Sequence, residues 1–182
     1  MKFIPTKLPG MVVIEPDVHR DERGFFLESF QAKKYAAAGI ALPFVQHNHS
    51  KSVKGTLRGL HAQKDHPQGK LVRVLRGEIY DVGVDVRVGS PTFGKWDGVL
   101  LSAENFKQIY VPTGFIHGFV VVSEEAEVEY KCTDFYAPSD EFGVIWNDPD
   151  IGIQWPVKAP LLSKKDGLLP RLADIKDRLP RY

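Results

Sequence analysis

Cysteine is nearly missing from this chain. Cys132 is the only one in 182 residues, so no disulfide can close within it, and the bridge-stapled framework of small secreted domains is excluded. A reducing, cytoplasmic setting is the simpler expectation. Long apolar runs are missing too, and nothing approaches the ~18 residues that a membrane-spanning helix needs. The opening MKFIPTKLPG is broken by Pro5 and Pro9 and does not read as a secretory signal. Charge of one sign is not in excess: 24 Lys and Arg stand against 23 Asp and Glu, which argues against broad attraction to nucleic acid or to a membrane surface. Internal repeats, low-complexity tracts and linkers are absent, so residues 1–182 read as one domain of ordinary size.

Helix signals are scarce. Ser29 is placed to cap a helix over Phe30–Ala38 that Gly39 stops, and Pro170 suits the first turn of a second over Arg171–Arg178. What the chain holds in quantity is strand. Short β-branched and aromatic runs recur between turn residues at Met11–Ile14, Phe25–Glu28, Val45–His49, Thr56–Ala62, Leu71–Leu75 and Glu78–Val86. They continue at Trp96–Ser102, Gln108–Val111, Gly118–Ser123, Val128–Phe135 and Val144–Asn147. That spacing predicts a mainly β fold, an antiparallel barrel or sandwich with a few short peripheral helices. Alternation in Leu71–Arg76 and Ile79–Val86 predicts strands with one wet and one packed face.

Two motifs carry chemistry: Gly55–Gly77, reading GTLRGLHAQKDHPQGKLVRVLRG, and Pro112–Val120, reading PTGFIHGFV. A metal-binding barrel of the cupin kind offers His-x-His, then Glu, then Gly, with one more His after a Pro-x-Gly turn. Here the same frame holds His61-x-Gln63, Lys70, Gly77 and His117. An amide and an ammonium stand where two metal ligands belong. An ammonium repels a metal ion but stabilises an oxyanion, and a histidine with an ordinary pKa near ~6.5 removes protons at neutral pH when a carboxylate fixes its tautomer. The frame therefore points to proton chemistry on a bound anion, with no metal.

Taken singly, each residue has an ordinary structural reading. His61 reads equally as a partly buried histidine, Lys70 as a surface lysine, and His117 as a turn histidine bonded to backbone. Alternation puts Leu57, Gly59, His61 and Gln63 on one side of a strand and Arg58 and Leu60 on the other, unless a bulge at Gly59 shifts the register. Arg23 can grip a phosphate in bidentate fashion and Glu28 can accept hydrogen bonds, although a solvated turn explains both. One of Phe25 and Phe26 is expected in the core.

Taken together, the motifs resemble the dTDP-4-dehydrorhamnose 3,5-epimerase family of cupin-type sugar-nucleotide enzymes. The matching text is DERGFF at 21–26, NHSKS at 48–52, LRGLH at 57–61, QGKLVR at 68–73, SPTFG at 90–94 and LSAEN at 101–105. It closes with Pro-x-Gly-Phe-x-His-Gly-Phe at 112–119, WND at 146–148 and Ile-Gly-Ile-x-Trp-Pro at 151–156. The resemblance implies a cupin-like jelly-roll barrel that inverts C3 and C5 of a dTDP-4-keto-sugar through enolates, without cofactor. It implies that His61 is the base, Asp166 its support, Tyr130 the proton donor and Lys70 the enolate stabiliser. Arg23, Glu28, Gln46, His47, Asn48, Arg58, His117, Glu141 and Lys165 are the substrate contacts it implies. His47 departs from the family pattern, which often has an acidic residue there. A homodimer through exchanged strands is also implied. Rival readings are a single-centre epimerase, a metal-dependent cupin enzyme, or a sugar-nucleotide sensor without turnover.

Overall fold

The computed structural model describes residues 1–182. Two antiparallel sheets pack face to face as a jelly-roll-like β fold. The first runs in the order β1 (Lys2–Pro5), β2 (Val12–Glu15), β10 (Gln108–Val111), β7 (Lys70–Arg76), β12 (Glu125–Cys132) and β5 (Gln46–Val53). The second runs β13 (Glu141–Gly143), β6 (Leu57–Gln63), β11 (Phe115–Val121), β8 (Glu78–Asp85) and β9 (Trp96–Ser102). Each sheet is hydrogen-bonded on its own, not closed into one ring. A separate hairpin pairs β3 (Val18–Asp21) with β4 (Gly24–Leu27).

Strand alternation decides what lies between the sheets. Val72 and Val74 of β7, Ala126 and Val128 of β12, Ile109 and Val111 of β10, and Phe115, Phe119 and Val121 of β11 form one buried core with Met11 and Leu8. The outer faces are covered as well. A second cluster joins Val82, Val84, Ile116 and Leu60 to Leu172, Ile175 and Leu179 of the C-terminal segment. A third seats Tyr35 and Ile40 on Ile14, Leu71 and Tyr110. Because β8 is buried on both sides, the expected wet face of Ile79–Val86 does not exist: Asp81 and Asp85 are fully buried. Each has its own partner, Asp81 the ring of His117 and Asp85 a ring of donors from Arg87, Ser90 and Thr92.

Other expectations shift in detail. The helix α1 is shorter, Ala32–Ala37, and its cap is Gln31, whose side chain accepts from the Lys34 N–H, not Ser29. The Ser29 carbonyl is taken instead by Tyr35 and Gln108. Leu172–Arg178 is a 3₁₀ segment with a non-helical break at Ile175. Val144–Asn147 is not a strand. The paired strand lies just before it at β13, and Val144 exchanges two backbone hydrogen bonds with Leu60 beyond the end of the ladder.

Candidate active site

The site is built on the inner faces of β5, β6, β7 and β12. Lys70 opens β7 directly opposite Cys132, and Tyr130 lies opposite both Asn48 and Val72, so these side chains share one face. On β6 the register slips by one residue: His117 pairs with His61, but Phe119 pairs with Arg58. That slip puts Arg58 and His61 on the same face, which plain alternation forbids. Gly59 makes it possible, with φ +126° and its Cα so close to β11 that an added Cβ would fall 2.6 Å from Gly118 Cα.

His61, Lys70, Tyr130, Gln46, Asn48 and Glu141 line a cavity of about 280 Å³, together with Gln63, Gln68 and Tyr136. A larger hollow of about 550 Å³ lies against the outer face of the first sheet, among Phe25, Phe106, Arg20 and Arg73. It holds no histidine and no phenol, whereas the smaller cavity brings His61, Lys70 and Tyr130 together.

Nε2 of His61 donates to Asp166 Oδ1 at 2.7 Å, and Nδ1 is left facing Glu141 at 3.9 Å. Burial pushes the Asp166 carboxyl up, but the hydrogen bond and charge of His61, with a bond in the Ser163 region, hold it below the usual carboxylate range. The aspartate therefore stays ionised and keeps one imidazole proton fixed, leaving the other nitrogen free to accept one. Burial pushes the Tyr130 phenol up, so it keeps its proton. Burial pulls the Lys70 ammonium down, opposed by Cys132, Glu141 and Asp81. No carboxylate forms an ion pair with Lys70, whose side chain lines the cavity.

Arg58 donates from Nε to Ser52 and lies close enough to Tyr130 for its charge to oppose part of the rise that burial imposes on the phenol. Lys165 pairs with Glu141 at the cavity mouth. His117 sits beside His61 but below the cavity, buried, with Nε2 at 2.9 Å from Asp81. The bonding partner is a carboxylate and not the backbone of a turn. His47 points to the opposite face of β5, where its ring meets Glu129 at 2.6 Å. Arg23 and Glu28 are not at the cavity either. They lie on and after the β3–β4 hairpin, paired with Asp21 and Lys34. Phe25 and Phe26 are both exposed, 57% and 71%, so neither is core. Sequence reasoning missed Asp81 and Tyr136; alternation in Ile79–Val86 could have set Asp81 on the inner face beside Gly83, whereas nothing local marks Tyr136.

The sequence model of the dTDP-4-dehydrorhamnose 3,5-epimerase family matches residues 5–174. The chain belongs to this family. Among family members, the dTDP-4-dehydrorhamnose 3,5-epimerase of Shigella flexneri is 55% identical over 168 residues, covering 91% of this chain and 93% of that protein. A Legionella pneumophila epimerase crystallised with dTDP-4-keto-L-rhamnose superposes with a TM-score of 0.97 at 52% identity, covering 100% of this chain and 98% of that one. A 3'-monoepimerase from Streptomyces bikiniensis, in complex with dTDP-quinovose, superposes with a TM-score of 0.93 at 38% identity, covering 98% and 93%. The epimerase family's architecture therefore accommodates one inversion as well as two.

Proposed function

We propose that this chain inverts C3 and C5 of dTDP-4-dehydro-6-deoxy-D-glucose to give dTDP-4-dehydro-L-rhamnose, a step of dTDP-L-rhamnose synthesis. The observation that carries this reading is the convergence of an Asp166-backed His61, a protonated Tyr130 and a lysine without an ion-pair partner on one cavity. C3 and C5 both flank the C4 ketone, so a proton removed from either leaves its electron pair on the same oxygen. His61 Nδ1 takes that proton, and Lys70 holds the negative charge that gathers on O4. The Tyr130 phenol returns a proton to the carbon from the other face, which inverts it. The proton on His61 then leaves to water and Tyr130 is reprotonated, so the enzyme resets with no net gain or loss. Gln46, Asn48 and Arg58 are assigned to the nucleotide and sugar, and Glu141 and Lys165 to the sugar at the mouth.

Arg23 and Glu28 require a second chain under this reading. On their own hairpin they are remote from the His61 cavity, so we assign them to the cavity of a partner in a cytoplasmic homodimer. His47 and His117 act from behind, His47 through the backbone of β5 and His117 through its packing under His61.

The test reads both centres at once. Incubation with the keto-sugar nucleotide in deuterated water should place deuterium at C3 and at C5 by NMR. Label at one carbon alone would replace this reading with a single-centre epimerase. His61→Ala should lose exchange at both carbons while still binding dTDP, and unchanged turnover would remove His61 as the base.

A further inference from the structure

We propose that Gln63 is a positioning residue of this site, whose buried amide clamps the two loops at the cavity mouth, residues 64–69 and 133–140, and so sets where Tyr136 and Glu141 meet the substrate. The identity of the substrate rests on the epimerase reading, whereas the clamp rests on geometry alone. Gln63 ends β6 and is 5% exposed. Its Nε2 donates to the His66 carbonyl at 2.7 Å and to the Phe135 carbonyl at 3.0 Å, while its Oε1 accepts from the Ala137 N–H at 2.8 Å. One side chain thus satisfies three backbone groups from two loops.

That combination calls for an amide. A carboxylate has no hydrogen for the two carbonyls, and an apolar chain of the same length leaves two acceptors and a donor unpaired. Other groups tie the loops to each other. The Asp140 carboxylate accepts from the Asp65 and His66 N–H groups at 3.0 and 2.8 Å, and Gln68 donates to the Asp134 carbonyl at 2.8 Å. Gln63 instead ties both loops to the rigid end of β6, two residues from His61.

The consequence falls on the mouth. Glu141 is the direct cross-strand neighbour of Gln63, and the Tyr136 hydroxyl donates to Glu141 Oε2 at 3.3 Å. Tyr136 is held at its other end by Gln46, whose Oε1 accepts the Tyr136 N–H at 2.8 Å. All four residues line the cavity with His61. In the metal-binding frame the Gln63 position aims a ligand into the pocket; here the same side chain is turned to the backbone and shapes the entrance.

Gln63→Met and Gln63→Glu test this in the full chain by two readouts. In steady-state assays Gln63→Met should raise KM for the keto-sugar nucleotide by about tenfold, the cost of one to two net hydrogen bonds, with kcat nearly unchanged. Hydrogen exchange on the ligand-free protein should show 134–140 opening, with faster exchange at Ala137, while β6, β7 and β11 keep their protection. Gln63→Glu keeps the acceptor for Ala137 but not the two donors, so Ala137 should stay protected while KM still rises. Unchanged exchange in 134–140, or a fall in kcat at constant KM, would overturn the proposal. Loss of protection across both sheets would overturn it too, by making Gln63 a residue of the fold. Hydrogen exchange needs no substrate, so the clamp is judged even if wild-type protein fails to label C3 and C5 and the epimerase reading falls.

Discussion

Burial acts on Lys70 and Tyr130 with opposite sign: it lowers the pKa of the cation and raises that of the neutral acid. Both shifts serve the proposed chemistry, since the phenol keeps a proton to give and the ammonium sits in a medium where its charge acts strongly on an oxyanion. As pH rises, the Lys70 ammonium is lost at a pH below the ordinary lysine range, because burial disfavours its charge. An alkaline fall of kcat should follow the loss of that ammonium, and a pH–rate profile of Lys70→Arg should move that limb upward. Lys70→Met should lower kcat by about 10²–10³-fold with a small change in KM, the range seen when one oxyanion donor is removed. A kcat within threefold of wild type would exclude Lys70 from charge stabilisation. The motif frame singled out His61 and Lys70, although each alone also has an ordinary structural reading, and the cavity brings them together with Tyr130. Asp166 stands 105 residues from its histidine, and only the resemblance joined the two. Asp81 went unread because an aspartate between apolar residues looks like a solvated position until a second layer is known to cover the strand.

At the scale of elements, β6 is where local pattern and site geometry diverge. Period-two alternation would send Arg58 and His61 to opposite faces, and the slip at Gly59 brings them together. A side chain at position 59 would meet two backbone atoms, Gly118 Cα at 2.6 Å and the His117 carbonyl at 2.8 Å, neither able to rotate away. It would also hold a positive φ of 126° that L residues avoid. Gly59→Ala should therefore cost about 2–4 kcal/mol, roughly 5–15 °C in Tm by thermal unfolding. Isotope exchange should fall even below the transition, because β6 and β11 can only relax by moving His61 off the Asp166 line; a Tm within 2 °C of wild type would show that the strands have room to part. The sequence flagged a bulge at this glycine but could not choose it over plain alternation, since the choice depends on β11 lying alongside. Strands with clear β-branched runs were legible to within a few residues. Lys2–Pro5 and Val18–Asp21 were not, because both are mostly exposed and take strand geometry from a paired neighbour, not from burial.

The whole molecule leaves one group of residues without work inside a single chain. The β3–β4 hairpin rests on the rest of the chain through Phe25 against Phe106, yet Phe25 and Phe26 remain exposed and the Arg23 side chain is 85% accessible, a costly display of aromatic surface for a monomer. Beside it, a hollow of about 550 Å³ against the outer face of the first sheet gives a partner somewhere to pack. In a two-fold dimer the same patch serves both subunits, so a hairpin that leaves its own chain reaches the partner's cavity and receives the partner's in return. Light scattering should then give twice the 20.5 kDa mass of the chain, and Phe26→Glu should shift it to the monomer. The sharper test is complementation. Arg23→Ala and His61→Ala should each be nearly inactive alone, the first by loss of an anion grip and the second by loss of the base. In a mixed dimer one cavity carries both defects and the other carries neither. Random reassortment makes half the dimers mixed with one intact site of two, so activity should recover to about a quarter of wild type. No recovery after verified subunit exchange would place Arg23 and His61 in the same chain's site and end the exchange model.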